Sequence, residues 1–491
     1  MAVPIDLMFP KAAAYRSLLL DAAGRVLRER PAGDVPDITE RHMRCIWADQ
    51  AFRPRTLATM RGETVTVESP GTWNMEPGPD FIDATLLIGP ANRRVVGDVE
   101  LHIRPSDWKH HRHGGDPAYR RVAAHVTWMP GSLPDGTLPP GAVEITLRDA
   151  VRSNPLFAPD AIDVTAYPFA VGRDGRRPCS QALAGWCQAD RVALLESAGQ
   201  ERLRIKAVRM ARAIADRNDP DQVLHEEVCS ALGYKHNRAA FRMLASELPA
   251  SVLRDASGGD AIAAYALMAG VSGLLPSRPP AGADDEARQF LRRVWDCWWK
   301  HESAFGRRAM PRSAWRLGGA RPHNHPLRRM AAAAAFSCSP EPLARRLLSP
   351  DAGKPAGWFA AVKAFMAAGD KAFPFWVRHL CLAGPAGDRV AIVGPERMAA
   401  MAANIFVPFL AANGTRIESL LAAIPPEAGN SLVRRTAHAL FGHDHNPAMY
   451  RNALAQQGLM QIAFDFCLNA RKGCRECGLT DAILKAGGPG A

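Results

Sequence analysis

No uninterrupted apolar run in the sequence, MAAAAAF from Met330 to Phe336 being typical of the longest, approaches the roughly 20 residues that span a bilayer. The opening MAVPIDLMFPKAAAY has no basic start followed by an apolar h-region. Both absences argue against a membrane partner and predict a cytoplasmic location. Ten cysteines in so long a chain do not read as a disulfide framework. Cys45, Cys229, Cys297 and Cys381 sit singly among apolar neighbours, as buried thiols do. No fixed-period repeat is discernible. A hydrophobic share of 47% with a charged share of 22% excludes an intrinsically disordered chain.

What is present is length and positive charge. At 491 residues the chain exceeds one ordinary core, so about two to four domains are expected. The formal charge of +12 favours a polyanion, and nucleic acid, DNA or RNA, leads as the partner; a basic surface without a partner is the alternative. Within ERLRIKAVRMARAI, Leu203, Ala207, Met210, Ala211 and Ile214 share one helical face, and Arg202, Lys206, Arg209 and Arg212 form a basic stripe on another. That stripe is either a phosphate-backbone contact or a solvated face.

Punctuation divides the chain into residues 1–35, an N-terminal helical extension ending in the linker PAGDVP; 36–170, a strand-rich domain; and 171–491, Ala-, Arg- and Leu-rich helical sequence. In the strand-rich part, Asp37 and Glu40 have capping-box spacing and predict a helix from Asp37. TVTVE, FIDATLLIG and RRVVGDVELHI read as strands. A His-rich loop, a short helix around Asp116 to Ala123 and a strand from His125 to Met129 follow. The fold class expected is α/β (α+β) with a mixed sheet, followed by a mostly α-helical domain.

The chemistry concentrates between Gly71 and Met129. On a strand alternate residues share a face, so Asp98, Glu100 and His102 point away from Val99, Leu101 and Ile103. Asp80 enters the neighbouring strand, and a hairpin between the two brings it beside Glu100. Two carboxylates with positions left to water suit Mg²⁺ or Mn²⁺. His111, His113, Asp116 and His125 extend that site or form a second one, for which Zn²⁺ is suited. Glu40 could add a carboxylate. Near the end, Cys467, Cys474 and Cys477 form C-x6-C-x2-C, a ligand set for Zn²⁺ or an iron–sulfur cluster that needs a fourth member. Cys179 is the first choice, with Cys187, His443 and His445 as alternatives.

Helix, three strands, helix, strand, with Pro79-Asp80 on one strand and Glu100-Leu101-His102 on the next, resembles the PD-(D/E)XK nuclease superfamily, His102 replacing the usual lysine. The resemblance implies a restriction-endonuclease-like domain in which Asp80 and Glu100 hold the metal and residue 102 orients or deprotonates the attacking water. Several nuclease families of this kind carry an iron–sulfur cluster on one cysteine before and three after the nuclease core, a layout similar to Cys179 with Cys467, Cys474 and Cys477. Over nearly the whole chain, NMEPGPDF, GDVELHIRPSDWKHHRH, DPAYRRVAAHV, QERLRIKA, LGYKHN, RPHNHP and CLNARKGCRECGL together resemble an uncharacterised bacterial family, the domain of unknown function 2851 family. The expected function is therefore metal-dependent phosphodiester hydrolysis on DNA or RNA. The alternatives are an inactive nuclease-fold nucleic-acid-binding protein and a His-cluster metallohydrolase acting on a small phosphorylated or amide substrate.

Overall fold

The computed structural model describes residues 4–26, 38–52, 56–74, 78–152, 162, 164, 177–234, 237–317, 322–348, 355–427, 430–442, 444–468, 474 and 477–486. Asp37, the linker PAGDVP, His443 and the Lys235–His236 pair of LGYKHN lie outside these residues. The chain forms two compact units: residues 31–173, and residues 1–30 together with 174–491. The first contains a mixed sheet and the second is mostly helical.

Two helices, α1 (Ile5–Met8) and α2 (Ala12–Val26), open the chain and pack against the long helix Gln188–Arg217, so they join the helical unit. Met8, Phe9 and Ala12 are part of its core.

The sheet unit begins with α3 (Glu40–Asp49). Its cap is Thr39, in extended conformation, whose hydroxyl accepts from the His42 N–H while the His42 ring accepts from the Thr39 N–H. The helix thus starts three residues later than the Asp37 reading placed it, because Thr39 and His42 complete the reciprocal pair of a capping box. Met43, Ile46 and Trp47 of α3 bury against the sheet.

The strands are β1 (Leu57–Ala58), β2 (Thr64–Ser69), β3 (Thr72–Trp73), β4 (Phe81–Ile88), β5 (Arg93–His102), β6 (Val122–Thr127) and β7 (Val143–Thr146). They lie in the order β1-β2-β4-β5-β6-β7, with β3 paired on β4. Pairing is antiparallel from β1 to β5 and parallel from β5 to β7. The three strands read from the sequence are β2, β4 and β5. Between β5 and β6 lie α4 (Asp107–His110) and two short 3-10 turns, His113–Gly115 and Pro117–Tyr119. The helix expected around Asp116 to Ala123 is only the second of these turns, because β6 already begins at Val122. A last helix, α5 (Arg148–Arg152), follows β7.

Strand β5 must lie very close to β6 at one point: a Cβ on Gly97 would sit 2.6 Å from the Ala123 Cβ and 2.7 Å from the Arg121 carbonyl oxygen. Only glycine allows that approach.

The helical unit continues with α6 (Pro178–Ala184), α7 (Gln188–Arg217) and α8 (Pro220–Leu232), and further helices run to Leu479–Ala486. Helix α7 crosses Ala453–Ile462 backbone to backbone at Gly199 and Gly458, where a Cβ on Gly458 would meet the Leu195 carbonyl oxygen at 1.9 Å. No helix among the described residues is long and apolar enough to cross a membrane.

Candidate metal centre

Strand β5 sets up the site. Val99 and Leu101 face the core shared with α3, and Glu100 and His102 face the other way. That second face is covered as well, so Glu100 is 1% and His102 0% exposed. The cover is the loop after β5, where Arg112 adopts a left-handed conformation with φ 60°. His111 and His113, on either side of Arg112, come back over the end of the strand. The parallel partner β6 places His125 opposite Glu100.

The resulting distances are short. His102 Nε2 lies 3.0 Å from His111 Nδ1, 3.3 Å from His113 Nε2 and 3.3 Å from Glu100 Oε1. His113 Nε2 is also 3.3 Å from Glu100 Oε1. Nitrogens of the three histidines all fall within 4.8 Å of one another. Ligand atoms around a tetrahedral ion with bonds of about 2.0–2.1 Å lie about 3.3 Å apart. His113 is held by its ring, 3.9 Å from that of Tyr119, whose hydroxyl donates to the Gly78 carbonyl oxygen, and Trp108 packs edge-on against both His113 and His125. His111 is exposed, which leaves one side of the cluster open to solvent.

A fourth histidine fixes the first. His125 Nε2 lies 3.0 Å from His102 Nδ1. Burial, reinforced by the charge of His113, pushes the pKa of His125 down to about 4, so near neutral pH it is uncharged and its Nε2 can accept. The tautomer with the proton on His102 Nδ1 donating to His125 leaves the His102 Nε2 lone pair facing Glu100, His111 and His113. This is the arrangement by which a metal-binding imidazole is oriented through its second nitrogen. The donor set therefore fits a divalent cation: one central positive charge satisfies several converging lone pairs that protons shared between pairs of rings cannot satisfy together. In that tautomer the buried Nδ1–H of His125 has no acceptor among the described residues.

Asp80 does lie beside Glu100. Its N–H donates to Glu100 Oε2 at 3.1 Å, and its Oδ2 accepts from the Leu101 N–H at 3.0 Å. Its Oδ1 pairs with Arg44 Nε at 2.7 Å. Both carboxylate oxygens of Asp80 are thus engaged by protein groups, and Asp80 positions Glu100. Asp98 is buried but accepts from the N–H of Asp83, which has φ 56° in the irregular stretch of β4; Arg121 pairs with Asp83 from the other side at 2.5 Å. Asp116 caps the turn Pro117–Tyr119 and is exposed. Glu40 opens α3. Arg44, Trp108 and Tyr119 were not read as site residues: Arg44 lies 36 positions before Asp80, and Trp108 and Tyr119, although close to the histidines in sequence, are aromatic types that read as core.

In the helical unit the basic stripe has partners of its own. Arg202 donates to Gln457 and Gln461, Lys206 to Asn404, and Arg209 forms a two-pronged pair with Glu227 at 2.9 Å on each arm. Of the four residues read as a phosphate track, Arg212 is exposed. The other three tie helices together.

No curated protein and no solved structure matches the chain. The histidine- and carboxylate-bearing strands and most of the helical unit fall inside residues 40–422, which match the family model described as "Protein of unknown function (DUF2851)". With that match covering most of its length, the chain belongs to the DUF2851 family.

Proposed function

We propose that the sheet unit is a metal-dependent hydrolase that cleaves phosphodiester bonds in nucleic acid, its ion held by Glu100, His102, His111 and His113. The observation that carries this reading is the convergence of Glu100 Oε1 and the imidazoles of His111 and His113 at 3.0–3.3 Å around His102 Nε2. Three nitrogens and one oxygen favour Zn²⁺ or Mn²⁺ over Mg²⁺, which prefers oxygen ligands. The expectation of a centre on Asp80 and Glu100 is thereby revised towards the histidines.

A bound ion supplies Lewis acidity, which makes water nucleophilic near neutral pH and offsets charge developing on a phosphate oxygen. The protein's residues do the rest. Asp80, locked by Arg44, holds Glu100 Oε2 through its backbone N–H and so aims Oε1 at the cluster. His125 orients His102. Lys109 and Arg112, exposed on either side of His111, supply positive charge at the open rim for a phosphate. The net charge of +12 supplies long-range attraction for a polyanion.

Purified full-length protein with Zn²⁺ or Mn²⁺ is expected to cut single- or double-stranded DNA or RNA, and His102→Ala, His113→Ala and Glu100→Gln are expected to lose both bound metal and cleavage. Cleavage at the wild-type rate by these variants refutes the assignment. A second reading, hydrolysis of a small phosphorylated or amide substrate at the same ion, is favoured by one observation. Residues 31–173 contain 15 Lys and Arg against 18 Asp and Glu, so the positive charge of the chain resides in the helical unit. Turnover of a simple phosphate ester, with no cleavage of any nucleic acid by the metal-loaded protein, selects that reading.

A further inference from the structure

We propose that Cys179, Cys467, Cys474 and Cys477 form a second, independent centre for a thiophilic metal, an iron–sulfur cluster or a zinc ion, inside the helical unit. These residues are up to 298 positions apart, yet the elements that carry or flank them pack against one another. Helix α6, which carries Cys179, packs against the helices Ser431–Phe441 and Leu479–Ala486. The latter starts two residues after Cys477. Ser431–Phe441 in turn packs against the π-helical turn Ala463–Cys467, which ends on the third thiol. A backbone hydrogen bond from the Cys477 N–H to the Cys474 carbonyl oxygen at 3.4 Å joins these two residues.

The four sulfurs lie within electrostatic reach of one another. Cys179 feels Cys474 and Cys477, and Cys467 feels all three. The groups around them favour thiolates. The N–H of Ser180 donates to Cys179 and that of Leu479 to Cys477, and the Arg177 guanidinium acts on Cys179, Cys467 and Cys477. Against these, burial first and then the mutual charges of the thiols push Cys179 up to about 11 and Cys467 up to about 12. Binding of a metal would release each ligating thiol's proton to solvent.

Two of the alternatives for the fourth ligand have other duties, and the third, His443, lies outside the described residues. Cys187 is exposed and caps α7 beside Asp190, and His445 bonds the Gly442 carbonyl oxygen and the Tyr450 hydroxyl. Cys229, by contrast, is a buried thiol in the hydrophobic core and serves as the control.

The test is metal and sulfide analysis of full-length protein purified without oxygen, in a His102→Ala background so that metal at the histidine centre does not enter the count. About one centre per chain is expected to remain. Iron with acid-labile sulfide and broad visible absorption identifies a cluster; one colourless zinc identifies a tetrathiolate site. Cys179→Ser and Cys477→Ser are each expected to lose it, and Cys229→Ser to keep it. Absence of both metals from the His102→Ala protein, or unchanged metal in Cys179→Ser, overturns the proposal. Should the serine variants not fold, X-ray absorption of the retained metal decides: sulfur-only coordination is expected, and a nitrogen or oxygen shell overturns the inference.

Discussion

His102 has two neighbours of different kinds: a shell of potential co-ligands at Nε2 and the neutral His125 at Nδ1. Removing a residue that only orients a ligand weakens the site without abolishing it, so His125→Ala should lower metal affinity by about 10- to 100-fold. Competition with a chelator of known affinity measures this; unchanged affinity would mean that His102 needs no orienting partner. Asp80→Asn removes the partner of Arg44, whose side chain is 19% exposed. Breaking such a pair from one side is expected to cost about 3 kcal/mol in denaturant unfolding of the sheet unit. At this scale the sequence was half legible. Asp80, Glu100 and the four histidines stand out by density and strand periodicity. Their division into ligands and supports depends on an arginine 36 residues before Asp80 and on a left-handed turn at Arg112, neither of which has a local signature.

At the level of elements, β5 and β6 determine whether the site exists. Their pairing sets Glu100 opposite His125, and Gly97 permits it. Gly97→Ala forces a Cβ into the Ala123 side chain and the Arg121 backbone, and should destabilise the protein by about 1–3 kcal/mol and weaken metal binding with it. Full stability and affinity in that variant would show that the strands have room the geometry denies them. Strand β2 was legible because its alternation is strong, and β4 and β5 because the Gly89–Asn92 turn between them is explicit. The four residues of β7 and the two of β1 are too short to carry a period, and pairing with distant strands is what makes them extended. The 3-10 turn at Pro117–Tyr119 shared its residues with a helical pattern, which tertiary pairing of Val122 onward cuts short.

Over the whole molecule, the two units differ in how charge is used. The sheet unit carries the candidate hydrolytic centre on a slightly acidic background, and the helical unit carries the positive excess together with a buried ion network. Glu227 lies in that network: burial alone would raise its pKa, but Arg209 and Arg242 outweigh burial and hold the carboxyl well below the usual range. A group depressed in this way contributes stability that is present above its unfolded pKa and is lost as pH falls through the carboxylate range towards the native value. Acid unfolding should therefore steepen below about pH 5, and Glu227→Gln should flatten that slope while lowering stability at neutral pH. An unaltered pH dependence in the variant, followed by circular dichroism, would place the acid sensitivity elsewhere. The division into a mixed-sheet part and a helical part was readable from composition and periodicity. The inward use of Arg202, Lys206 and Arg209 was not, because a basic helical stripe looks the same in sequence whether it meets solvent or the side chains of distant helices.

Stoichiometry tests the histidine and glutamate cluster most directly. Full-length wild type, stripped of metal and titrated with Zn²⁺ by calorimetry, is compared with a His102→Ala, His113→Ala double variant that retains the wild-type circular dichroism spectrum. The prediction is that exactly one class of site, at about one ion per chain, disappears in the double variant while any cysteine-bound metal is unaffected. Equal Zn²⁺ binding by the two proteins would contradict it.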